Sequence, residues 1–76
     1  MKQVKRLCDM APGQEAVVRS LLAGGDIRRR FLDIGLIEGT TVRCLGRSPG
    51  GDPSAYRIRG AVIAIRAEDS RSILID

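Results

Sequence analysis

The chain contains no histidine and no tryptophan, and Phe31 and Tyr56 are its only aromatic residues. Without histidine, the commonest general base at neutral pH is missing. Neither of the two cysteines, Cys8 and Cys44, has an imidazole available to activate it as a nucleophile. The serines stand in no nucleophile-elbow or phosphate-loop context. The sequence therefore reads as a binding protein and not an enzyme. Two aromatics also exclude a base-stacking platform or a large aromatic cleft.

Metal donors are equally sparse. Soft-ligand sites need a local cluster such as Cys-x-x-Cys or histidines one helical turn apart, and the chain has neither. Asp9, Asp26, Asp33, Asp52 and Asp69 are scattered and suit helix caps and turns better than a hard-cation cage. No metal and no cofactor is expected. Long apolar runs are absent too, all falling well short of the ~20 residues that span a bilayer. The run Met1 to Arg6 leads into no apolar segment of a signal peptide. Two distant cysteines are too few for a small secreted disulfide scaffold. A cytoplasmic protein without membrane insertion is expected, with both cysteines reading as small apolar residues in or near the core.

Against these absences, 76 residues with 43% hydrophobic content make one domain, residues 1–76, around an aliphatic core. The net charge of +4, from thirteen basic and nine acidic residues, raises nucleic acid or an acidic protein surface as partner.

Along the chain, Asp9 suits a single helical turn and Pro12-Gly13 the centre of a type II turn. Ala16 to Leu22 is the first strand. Gly24-Gly25 breaks it, and Asp26 is placed as the N-cap of a short helix over Ile27 to Ile34. Ile27, Phe31 and Ile34 share its inner face at i, i+4 and i+7, and Gly35 ends it. Thr41 to Arg47 alternates, with Val42 and Cys44 inward. After a Ser48–Pro53 loop, Ala55 to Arg59 alternates with Tyr56 and Ile58 inward and Arg57 and Arg59 outward. Gly60 turns the chain into Ala61–Arg66, with Ile63 and Ile65 buried, and Ser72–Ile75 is a last strand. Five short strands around one core, with the helix after the first, predict a mostly β fold, a small, partly open barrel.

Arg28, Arg29 and Arg30 fan around the helix at ~100° per residue and form no single patch. Leu32 falls among them, away from the inner face, and a leucine beside Arg28 and Arg29 is a contact point for a partner. The loop residues Pro49, Asp52 and Pro53 form a second candidate contact. Arg43, Arg57, Arg59 and Arg66 project outward from the strands and can meet phosphates. Small barrels that bind nucleic acid interleave aromatics among such residues, and here none is available.

The run Gly25-Asp26-Ile27-Arg28-Arg29-Arg30-Phe31-Leu32-Asp33-Ile34-Gly35-Leu36, followed by Glu38-Gly39, resembles the signature of the FeoA family. Leu7 with Pro12-Gly13, then Pro49-Gly50-Gly51-Asp52-Pro53, Tyr56-Arg57-Ile58-Arg59-Gly60 and Ala64-Ile65-Arg66 are similar to its remaining motifs in the same order. Phe31 replaces the usual leucine, and Ser48 and Gly50 replace alanine and leucine around the proline loop. The resemblance covers essentially the whole chain. It implies an SH3-like β-barrel with an inserted helix and a role in bacterial ferrous iron uptake. The implied partner is FeoB, the membrane permease with a GTP-binding domain, with no nucleic acid. The same fold forms the C-terminal domain of DtxR-type metal-dependent repressors, so a stand-alone relative of that domain is one alternative. A basic barrel that binds nucleic acid, favoured by net charge and the outward arginines, is the other.

Overall fold

Strand pairing runs almost unbroken through the computed structural model, which describes residues 5–76; the N-terminal run read above for a leader lies for the most part outside them. Six antiparallel strands form one sheet among the described residues: β1 (Lys5–Arg6), β2 (Glu15–Leu21), β3 (Thr41–Arg47), β4 (Ser54–Ile58), β5 (Ala61–Ile65) and β6 (Ile73–Ile75). Their spatial order is β1-β6-β2-β3-β4-β5. A 3-10 turn, Leu7–Asp9, follows β1. Helix α1 (Gly25–Asp33) links β2 to β3, and the short helix α2 (Ala67–Ser70) links β5 to β6. The expected five strands become six because β1, at two residues, is too short to show periodicity. For the same reason α1 follows the second strand and not the first.

β2 divides its pairing. Glu15, Ala16 and Val17 face β3, whereas Val18, Ser20 and Leu21 face β6, with a register shift between Val18 and Ser20. Such an irregularity bends a strand and raises its twist, which lets one strand turn a barrel corner. The β3–β4–β5 part follows the alternation in the sequence. Val42, Cys44, Tyr56 and Ile58 are buried, and Thr41, Arg43 and Arg57 are exposed. Ile65 is buried as expected, while Ile63 is half-buried.

Leu7, Met10, Val18, Leu36, Ile73 and Ile75, with the Phe31 ring from α1, complete the core. Cys44 lies in that core and Cys8 is half-buried, and both are free thiols. The Tyr56 hydroxyl donates to the Leu7 carbonyl at 3.3 Å, satisfying the one polar end of the largest fully buried side chain.

Two corrections concern the chain's turns. Gly24, not Asp26, is the N-cap of α1, and no side chain among the described residues caps it; Asp26 instead lies in the first turn, where its charge complements the helix dipole. Arg59 is not a strand residue. With Gly60 it forms the two-residue turn between β4 and β5, at φ +51° and +82° respectively.

Candidate functional site

Helix α1 has the two-faced character its spacing requires. Phe31 is buried, with Ile27 and Ile34 packed beside it against the core. Arg28, Arg29 and Leu32 occupy the exposed side, and Leu32 keeps 41% of its surface in water. The three are not equivalent. Arg28 donates from Nη1 to the Leu21 carbonyl at 3.2 Å, so it also ties the helix to the end of β2. Gly35 follows the helix at φ +95°, a conformation that suits glycine at the position past the C-cap.

The proline loop is held at both ends. The Ser48 hydroxyl and amide donate to the Pro53 carbonyl at 2.7 and 3.0 Å. The Asp52 carboxylate accepts from the Ala67 amide at 2.8 Å and so satisfies an otherwise open donor at the start of α2. Pro49 is exposed and Pro53 half-buried.

Helix and loop meet in a groove of about 270 Å³ between α1, Pro53, β5 and α2. Phe31, Ile34, Pro53, Ile63 and Ile65 give it apolar walls, and Arg30, Arg66 and Asp69 contribute charge. Of the six residues singled out from the sequence, only Pro53 lines this groove; Arg28, Arg29, Leu32, Pro49 and Asp52 lie outside its lining. Sequence reasoning assigned Phe31, Ile34, Ile63 and Ile65 wholly to the core. Phe31 and Ile65 are buried as expected and only border the groove, whereas Ile34 and Ile63 are half-buried; that exposure depends on how the helix meets β5, which no local pattern records.

Asp69 is the one carboxylate among the residues lining this groove, and none of them is a histidine, cysteine or serine. The phenol of Tyr56 is pushed above its ordinary 10.0, chiefly by burial, and it is a core hydrogen-bond donor. A cavity of about 400 Å³ near β1 and β6 collects Asp9, Glu15 and Asp76 around Lys5 and Met10. Among the described residues no group of three or more His, Cys, Asp or Glu side chains is placed to hold a metal ion. No helix there is long and apolar enough to cross a membrane.

A family model described as the FeoA domain matches residues 5–76. The chain is 31% identical over 71 residues to the Fe(2+) transport protein A/Fe(2+) transporter FeoB fusion protein of Porphyromonas gingivalis, which covers 93% of this chain. It spans only 8% of that relative's length. Among solved structures, an FeoA-like protein from Clostridium acetobutylicum superposes with a TM-score of 0.88 at 28% identity, covering 100% of this chain and 88% of that one. The FeoA of Stenotrophomonas maltophilia, a prokaryotic SH3 domain protein complexed with zinc, superposes at 0.85 with 26% identity over 95% of this chain and 89% of its own.

Proposed function

The chain belongs to the FeoA domain family, and on that premise we propose that it is a non-enzymatic accessory of bacterial ferrous iron uptake that binds an FeoB-type permease at its cytoplasmic side. The observation that carries this reading is the Porphyromonas gingivalis relative, in which a segment similar to this chain and an FeoB transporter share one polypeptide. Fusion holds two partners at a fixed ratio and high effective concentration. A free-standing chain must replace that tether with a contact surface of its own. The exposed side of α1, with Leu32 flanked by Arg28 and Arg29, supplies an apolar anchor inside a charged rim, the usual anatomy of a protein contact. The loop carrying Pro49, Asp52 and Pro53 extends it.

Iron in this reading is the cargo of the partner and is not held by this chain, consistent with the scattered donors described above. The test is a titration of this chain against the detergent-solubilised permease of the same genome, followed by calorimetry. Saturable binding at one-to-one stoichiometry that Leu32→Asp weakens supports the reading. Absence of binding, or binding indifferent to changes in both α1 and the loop, overturns it.

A further inference from the structure

A second surface, made of none of the residues assigned above, lies on the outer side of the β3–β4 hairpin. Arg43 and Arg57 stand directly opposite each other across these strands, with Glu15 opposite Arg43 on β2 and Val62 opposite Arg57 on β5. Arg59 joins them from the turn. Together with Glu15, Thr41 and Gly60, the three arginines line an open groove of about 340 Å³.

Two local choices in this groove work against stability. Like charges directly opposite on a sheet repel, and Arg43 and Arg57 form such a pair. The first position of a two-residue hairpin turn at positive φ favours asparagine, yet it holds Arg59 at φ +51°. Residues held in sparsely populated backbone regions cluster at binding sites. Arg59 is also positioned: its stem lies over Gly35, where a Cβ would come within 2.7 Å of the arginine Cδ. A guanidinium whose stem is packed loses less freedom on binding.

We infer that the Arg43–Arg57–Arg59 groove docks an extended acidic peptide segment of a partner protein. Extended chains present every second side chain to the same side, about 7 Å apart, a spacing that arginines on adjacent strands span with their long stems. Guanidinium groups pair carboxylates in a planar fork. Val62, 61% exposed beside Arg57, offers an apolar contact at the open edge. A nucleic acid fits less well. Both aromatics, Phe31 and Tyr56, are buried, so the groove offers no aromatic platform on which a base could stack.

The test is fluorescence anisotropy with a labelled peptide of alternating Glu and Val, its Gln-for-Glu counterpart, and a single-stranded oligonucleotide of matched charge. The parent chain should bind the acidic peptide at low salt and not the Gln version. Arg57→Gln and Arg59→Asn should each weaken it about five- to tenfold, as expected when a charge-assisted pair is lost. Arg71→Gln, which removes the same formal charge elsewhere, should change it by less than about twofold. Arg59→Asn also suits the turn backbone, so it decides the matter should Arg57→Gln fold poorly. Equal losses from all three variants indicate bulk charge and overturn the proposal. So does tighter binding of the oligonucleotide through the same arginines, or no binding of the peptide. None of these outcomes bears on Leu32, so the α1 reading stands or falls separately.

Discussion

The Tyr56 hydroxyl reaches the Leu7 carbonyl across 49 positions of sequence, tying the middle of β4 to the 3-10 turn near the start of the chain. Tyr56→Phe keeps the ring and removes this bond, so it should cost about 1 kcal/mol in denaturant unfolding. The effect depends on pH. Burial holds the folded-state pKa above the ordinary 10.0, so the associated stability is fully present below 10.0 and is lost as pH rises through the folded value. The stability gap between parent and Tyr56→Phe should therefore narrow above pH 10. A gap that stays constant into strong alkali contradicts the assignment.

Thr40 presents the opposite case. Its Oγ1 is buried and finds no hydrogen-bond partner among the described residues, while its amide donates to the Ile37 carbonyl and its carbonyl accepts from the Val18 amide. Thr40→Val preserves shape and β-branching and removes the unsatisfied hydroxyl. Stability should rise by about 1 kcal/mol, read as a higher midpoint at unchanged m-value. A fall would show that the hydroxyl has a partner in solution.

Phe31 and Leu32 are neighbours with opposite surroundings. Phe31→Ala empties a core position and should cost about 3–5 kcal/mol. Leu32→Ala should leave the melting temperature nearly unchanged and weaken capture of the permease. Arg29→Glu should weaken capture further and make it less salt-sensitive, because a steering charge is reversed. Unfolding of Leu32→Ala is the result that removes Leu32 from the proposed interface.

Gly35→Ala combines two penalties, a positive φ and a clash with the Arg59 stem. Thermal unfolding should show a loss of about 1–3 kcal/mol. The same variant should weaken the acidic peptide, because the arginine stem must move to admit the methyl group. Wild-type affinity in a destabilised Gly35→Ala protein would show that Arg59 needs no support from the helix end.

Alternation in Thr41–Arg47 and in Tyr56–Ile58 is enough to assign their inner and outer faces, because a pleated strand has only two. The i, i+4, i+7 spacing of Ile27, Phe31 and Ile34 likewise identifies the buried side of α1, and Leu32 follows as its exposed counterpart. Other features are not local. β1 exists only because β6 arrives to pair with it. Arg59 reads as a strand residue because nothing in its own chemistry announces positive φ. The groove at Pro53 depends on where a helix, a loop and an edge strand come to rest, and each of its residues has another plausible place when read singly. The outward arginines were legible as such, but not their register, which sets Arg43 against Arg57.

The divided pairing of β2 has a mechanical consequence. Its first three paired residues belong to one ladder and its later ones to another, so neither half of the sheet can come apart without stripping a strand from its neighbour. Load applied to β3 from outside is passed along a single backbone to β6. Amides in the middle of β2 should accordingly exchange with solvent only when the whole chain opens, so that one strand sets the cooperativity of the molecule.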